Sequence, residues 1–323
     1  MKRWAPLLVA IAAGLLAPSA LAEPETLARE QAPFTADAYR DAVAWSSFDT
    51  RAKRFRLRVL RNGRELPLTI ASSPTAFDVD LGPLGTSDAG IGAVYSRCDD
   101  TGHGCDIFLL DLQTGAERRV TEVSSSDRDE RVPSLYRNSI SFSRTAGGGR
   151  ELVYLRLLGE SRSRRQNVPA GRGTVAATEL GSATRLAYTW SSIRGEFLTQ
   201  FLYRVQGNGR LERVARAGSG GLSQGRIVTP SWAGLALYFG RTNSGSGQGN
   251  RIYRYAIGRG AYAAAHGKPS YRSVTYVSAN RFVTAESLDF DLCTGNGDDP
   301  PERSTCLLRR SDPLTFTEVS GAG

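Results

Sequence analysis

Ser223 sits inside Gly221-Leu222-Ser223-Gln224-Gly225, and His266 follows it, so the chain carries the residue types of a nucleophile and its base. A Gly-x-Ser-x-Gly elbow works only where a strand turns sharply into a helix. These five residues instead lie in a glycine-rich connection with no helical pattern after them, and they read as a turn. No catalytic residue is assigned. A second group is acidic: Asp289, Asp291, Asp298 and Asp299 surround a glycine-containing stretch. Hard oxygen ligands of that kind suit Ca²⁺, but the spacing is not that of a helix–loop–helix calcium loop. A hydrated acidic loop is the simpler reading. Ca²⁺ stays open as the single cofactor candidate, and no other cofactor or metal is expected.

The four cysteines form two close pairs, Cys98 with Cys105 and Cys293 with Cys306. Neither pair has Cys-x-x-Cys spacing, so two local disulfides are expected rather than zinc. The first residues point to a compartment where such bonds persist. Lys2 and Arg3 precede an apolar run, Leu7 to Leu16, and Ala20-Leu21-Ala22 supplies a small-x-small cleavage site. Residues 1–22 read as a secretory signal peptide cut after Ala22, which places the mature chain in the periplasm or outside the cell. No later stretch is apolar enough to span a membrane.

Cleavage removes Lys2 and Arg3, taking Lys plus Arg from 41 to 39 against 32 acids, a net charge of +7. The arginines are scattered and alternate with apolar residues, as on the solvated face of a strand. Export also puts nucleic acid out of reach, so none is expected as a partner. Arg162, Arg164 and Arg165 read as a solvated turn.

Helical patterns are nearly absent after residue 40. Short alternating segments recur instead. Arg54 to Leu60 alternates and turns at Asn62-Gly63, and Glu196 to Val205 does the same before Asn208-Gly209. Period-two alternation closed by such a dipeptide marks a half-buried antiparallel strand. A longer period overlies this one. Pro133 to Thr145 (PSLYRNSISFSRT) matches Pro230 to Thr242 (PSWAGLALYFGRT) without a gap, and Thr178 to Trp190 fills the same frame. Six units of about 40–50 residues follow from that frame, the size of a propeller blade. The expected architecture is all-β: a β-propeller of six four-stranded blades, with five as the alternative. The first unit is the weakest, since its innermost strand must come from around Pro33 to Asp37. Residues 23–33 are expected as an N-terminal extension and 34–320 as a single propeller domain.

With strands lettered a to d from axis to rim, Cys98 ends a strand b and Cys105 begins the next strand c. Both disulfides then brace b–c loops on one face of the disc. That face is the expected binding surface, with Asp99, Asp100, His103, Asp298 and Asp299 exposed on it. Asp127, Asp129 and Glu130 lead into a strand a, where carboxylates meet the channel or a neighbouring blade's amides; the structural role is preferred. Trp232, near the start of another strand a, is placed to approach the channel. The remaining aromatics read as packing between sheets.

Asp106 to Thr121 (DIFLLDLQTGAERRVT) resembles strands c and d of the TolB-type propeller repeat. Ala93 to Arg97 is similar to its strand b, and Pro230-Ser231-Trp232 and Pro133-Ser134-Leu135 to the residues leading into its strand a. The family's Pro-Asp-Gly turn between strands a and b is missing, with Gly82 to Gly85 the nearest substitute. Too few residues follow Ala22 for the N-terminal domain that precedes the propeller in TolB, so a stand-alone propeller is expected. The resemblance implies a periplasmic or secreted location and protein binding across a channel mouth. The expected role is therefore a monomeric, non-enzymatic binder of a protein or an envelope polymer. The alternative is a hydrolase or lyase working at that mouth.

Overall fold

The computed structural model describes residues 25–30, 35–87, 89–194, 197–218, 226–227, 230–242, 251–259, 262–264, 282–287 and 306–311. Every regular element among them is a strand. Residues 1–22, expected as a signal peptide, Gly221 to Gly225, His266 and the four aspartates at 289–299 lie outside these residues.

Strand β1 (Glu25–Glu30) comes first. Five four-stranded blades follow, each antiparallel and each wound outward from the axis. Blade 1 is β2 (Ala36–Tyr39), β3 (Ala42–Asp49), β4 (Arg54–Arg61) and β5 (Arg64–Glu65). Blade 2 is β6 (Asp80–Leu84), β7 (Gly90–Arg97), β8 (Asp106–Asp111) and β9 (Glu117–Arg119). Blade 3 is β10 (Glu130–Tyr136), β11 (Ser139–Ala146), β12 (Arg150–Leu157) and β13 (Arg164–Arg165). Blade 4 is β14 (Thr174–Ser182), β15 (Arg185–Arg194), β16 (Phe197–Val205) and β17 (Leu211–Ala217). In blade 5 the innermost place is shared by two short pieces, β18 (Arg226–Ile227) and β19 (Ser231–Ala233). Both pair with β20 (Ala236–Thr242), which is followed by β21 (Arg251–Ala256) and β22 (Tyr262–Ala264).

A last sheet joins the two ends of the chain. Strand β23 (Phe282–Ser287) pairs with β24 (Cys306–Ser311), and β24 pairs on its other side with β1. The segment expected as an N-terminal extension thus supplies a strand. Pairing it there covers an edge that would otherwise template aggregation.

Apolar side chains sit between blades, because each twisted sheet has two faces to bury. Ala44, Leu57 and Val59 of blade 1 meet Phe77, Leu81, Ala93 and Tyr95 at blade 2. Val94, Ile107 and Leu109 of blade 2 meet Leu135, Ile140 and Phe142 of blade 3. Blades 3 and 4 share Val153, Val175, Leu186 and Trp190, and blades 4 and 5 share Ala187, Leu202, Leu237 and Phe239. Trp45 and Val43 of blade 1 pack toward Leu27 and Ala28 of β1.

A buried polar latch reinforces that last contact. The fully buried indole of Trp45 donates from Nε1 to Glu30 Oε1 at 2.6 Å, and Ser47 Oγ donates to Oε2 at 2.8 Å. Arg58 approaches the same carboxylate at 3.4 Å and stacks 4.9 Å from the Trp45 ring. At the rim the Asn62-Gly63 turn takes φ of 50° and 73°, the paired left-handed geometry that a two-residue hairpin favours. Among the described residues no helix is long and apolar enough to cross a membrane.

Candidate functional site

The inner strands bring one residue per blade to the same level of the channel: Asp37, Asp80, Ser134, Glu179 and Ser231. Each of the first four reaches the next blade. Leu81 N–H donates to Asp37 Oδ2 at 2.5 Å, and Leu135 N–H to Asp80 Oδ2 at 2.7 Å. Leu180 N–H donates to Ser134 Oγ at 2.9 Å, and Trp232 N–H to Glu179 Oε1 at 3.2 Å. The amide served is always the one just after the receiving blade's own member of the set. Inner strands carry such amides because nothing lies further in to pair with them, and a buried N–H without a partner costs stability.

Three members of the set are carboxyls, and all three line one cavity. Asp80 stands between Asp37 and Glu179 in the ring of inner strands, and each of the three influences the titration of its neighbours. Burial is the main reason all three are pushed above the usual carboxylate range, with mutual repulsion adding to it for Asp37 and Glu179. Asp80 is pushed up to about 7 by burial, against the Leu135 amide and the neighbouring acids, which favour its ionised form. Asp78, two residues earlier, is also raised by burial and receives a 2.9 Å hydrogen bond from Ser96 Oγ.

These acids form a neck. On the side of the a–b turns a cavity of about 770 Å³ opens, walled by the inner strands of all five blades. Toward the other face the channel narrows to about 50 Å³ between Thr35, Asp78, Val132 and Ala176. Asp37 and Asp80 line both spaces. The wider mouth carries Tyr39, Tyr136 and Trp232 with Arg40 and Arg185. The Arg185 guanidinium lies 5.9 Å from the Trp232 ring and donates to the Gly234 carbonyl. Leu235, beside it on the turn, is 67% exposed. Two of the a–b turns repeat Tyr-Arg-Asx: Tyr39-Arg40-Asp41 and Tyr136-Arg137-Asn138. Both arginines take left-handed φ, 54° and 55°, where glycine is usual. Each lies near its tyrosine ring, at 5.5 and 5.6 Å.

The wall is close-packed. A Cβ on Gly82 would collide with the Leu135 carbonyl, and one on Gly181 with the Trp232 ring.

On the opposite face the Cys98–Cys105 disulfide is present. Within its loop the Asp99 carboxylate takes the Thr101 amide at 2.8 Å and the His103 amide at 3.2 Å. The Thr101 hydroxyl and amide hold it below the usual carboxylate range. Asp100 pairs with Arg54 of blade 1 at 2.8 Å while staying 85% exposed. His103 Nδ1 lies 3.6 Å from Asp129, and Asp129 accepts the Cys105 amide at 3.1 Å. Asp129 thus serves a neighbouring blade's amide, as its place in the sequence suggests. Glu130 is buried against Ser125 and Arg144. Among the described residues no three His, Cys, Asp or Glu side chains are arranged to hold a metal ion. Cys293, Asp298 and Asp299 lie outside the described residues.

Trp232 was legible as a channel residue. The carboxyl set was not, although Ser134, Glu179 and Ser231 fall at one position of the repeat frame.

The fold is that of a β-propeller, and solved structures agree. TolB from Acinetobacter baumannii is similar at 17% identity and a TM-score of 0.52, over 85% of this chain and 65% of that one. A puromycin-hydrolyzing peptidase from Mycobacterium tuberculosis is similar at 15% identity and a TM-score of 0.50, over 90% of this chain and 46% of that one. An oligogalacturonate lyase in complex with manganese aligns at 10% identity and a TM-score of 0.46, over 87% and 76%. This chain therefore spans less than two thirds of the length of the first two. At such identities the likeness shows the fold alone. No protein-family model and no curated protein matches the chain.

Proposed function

We propose that this chain is an exported, non-enzymatic propeller that binds a segment of a partner protein at the wide mouth of its channel. One observation carries the reading. The cavity of about 770 Å³ is walled by five separate inner strands and rimmed by Tyr39, Tyr136 and Trp232, with the exposed Leu235 on the adjoining turn. Rigid aromatic anchors beside arginine are what protein recognition uses. Arg40 and Arg185 favour a segment that presents carboxylates among apolar residues. The carboxyls at the neck are already committed to inter-blade amides, which supports binding over catalysis. The leader-like N-terminus and the Cys98–Cys105 bond support export.

A crosslinking pull-down from the native envelope tests this. Arg40→Ala with Trp232→Ala should remove the captured protein. Replacing the 99–104 loop by Gly-Ser should leave it in place. The reverse pattern would move binding to the b–c face, a second reading favoured by the disulfide that rigidifies that loop. A third reading, a hydrolase or lyase, is favoured by Asp80, a carboxyl raised to about 7 on a cavity wall. Turnover of a polysaccharide or peptide that Asp80→Asn abolishes would establish it.

A further inference from the structure

We propose that the floor of the wide mouth takes a primary ammonium group, so that the bound segment enters with an amine leading. The inference rests on the reading that the mouth binds a partner segment, and it names the chemistry of the end that goes in. The first reason is shape. Beyond the neck the channel narrows to about 50 Å³, room for a few waters and not for a polypeptide. Among the described residues the mouth of about 770 Å³ is therefore a blind cup. A segment reaches its floor with a chain end or a loop tip and leaves the same way.

The second reason is what the floor leaves uncommitted. Ser231 is the member of the inner-strand set that serves no neighbouring blade among the described residues. It is 7% exposed and lines the mouth, and its hydroxyl has no hydrogen-bond partner among those residues. Asp37, Asp80 and Glu179 each give one oxygen to an amide: Oδ2, Oδ2 and Oε1. The second oxygens of Asp37 and Asp80 take no amide from another described blade, and that of Glu179 receives Ser134 Oγ at 3.5 Å. All three carboxyls line the same cavity as Ser231, so an arriving donor can reach them.

The third reason is charge. Among the described residues no lysine or arginine acts on any of the three carboxyls. On the narrow side, by contrast, Arg131 favours the ionised form of Asp78. At the wide mouth Arg40 sits on the rim beside Tyr39, and Arg185 is turned to the Gly234 carbonyl and the Trp232 ring. Blade 5 contributes Ser231 and Trp232, neither charged. Burial weighs against charge on all three carboxyls, and an incoming cation offsets it.

An ammonium group carries three N–H donors and no acceptor. Blades 1, 2, 4 and 5 each offer it an acceptor, from Asp37, Asp80, Glu179 and Ser231. A compact point charge suits acceptors set in a ring, whereas the flat guanidinium fork suits a single carboxylate. Two sources supply the group: the N-terminal amine of a chain and a lysine at a loop tip. Behind it the segment passes the aromatic wall, and Arg40 and Arg185 favour carboxylates at the rim. The occupant is thus ordered, with the amine deepest, apolar residues next and acids last.

Retention of synthetic heptapeptide libraries on the mature chain tests this. One library is random, lacks lysine and has a free N-terminal amine. A second is the same with that amine acetylated, and a third is acetylated with a central lysine. The first or the third should bind about tenfold or more tighter than the second, and which of them does so names the source. Asp80→Asn with Glu179→Gln keeps an oxygen for the Leu135 and Trp232 amides but removes charge, so it should abolish the preference. Ser231→Ala, which deletes only a hydroxyl, should reduce it and serves if that pair does not fold. His103→Ala, on the far face, should keep it in full. Equal or absent retention of all three libraries, or a preference untouched in the mouth variants, overturns the ammonium site. Envelope capture by the Arg40→Ala, Trp232→Ala variant is scored separately, so mouth binding stands or falls on its own.

Discussion

At the scale of single residues, the most consequential side chains are those whose partners lie on another blade. Glu30 accepts from the buried Trp45 indole and from Ser47, and it comes from the strand that closes the chain. Glu30→Ala leaves a buried donor without an acceptor, which costs about 1–3 kcal/mol. Urea denaturation should show that loss, and limited proteolysis should cut near the N-terminus first. An unchanged midpoint would mean that water replaces the carboxylate as acceptor. Gly82→Ala sets a Cβ against the Leu135 carbonyl and should destabilise by about 1–3 kcal/mol. A calorimetric Tm equal to wild type would show that the inner strands of blades 2 and 3 can move apart freely. Some of this chemistry was visible in the chain. Asp129 was readable as a carboxylate near blade-edge amides because it precedes a strand a. Asp37 and Asp80 were not, because an isolated acid in an alternating segment looks like any solvent-facing residue. Only the ring turns it inward.

At the scale of elements, alternation and turn dipeptides located the strands of the middle blades well. Arg54 to Leu60 and its Asn62-Gly63 turn became β4 and the β4–β5 hairpin, and the frame from Pro133 to Thr145 became β10 and β11. Two features escaped. Strand β1 has no turn partner near it in sequence, since its pairing strand lies at the other end of the chain. In blade 5, β19 lies at the expected Pro230-Ser231-Trp232 entry, but β18 ahead of it is a two-residue piece that carries no periodicity. The Cys98–Cys105 bond was legible from the close spacing together with the expected export of the chain. Replacing both residues by serine should cost about 2–3 kcal/mol, as expected for a short closed loop. Chemical denaturation of the double variant measures it. A loss near zero would mean that the Asp99 turn and the Asp129 contacts hold the loop unaided.

At the scale of the whole molecule, stability is a matter of closure. Each interface between blades buries apolar side chains on both sides, so no blade has a complete core of its own. Deleting residues 25–30 removes the strand that joins the ends and exposes Trp45. The expected result is a broadened unfolding transition and a tendency to associate, measured by calorimetry and light scattering. A sharp transition at the wild-type Tm would show that the five blades hold together without it. The charge of the chain adds a second expectation. If the arginines at the mouth grip carboxylates, complex formation should weaken as salt is raised, since exposed ion pairs are screened within about 10 Å at 0.1 M. Affinity that ignores salt would point to the aromatic residues alone.

The four inner-strand links all run in one rotational sense: blades 1 to 4 each hand a side chain forward, and blades 2 to 5 each receive one on an amide. A blade therefore cannot be exchanged for another as an interchangeable part. Transplanting blade 3 into the second position would bring Ser134 where Asp80 stands, keeping the forward link but deleting the hub of the carboxyl cluster. Successful recombination among blades would have to conserve what each one passes to its successor, so the heritable unit in this disc is the junction and not the sheet.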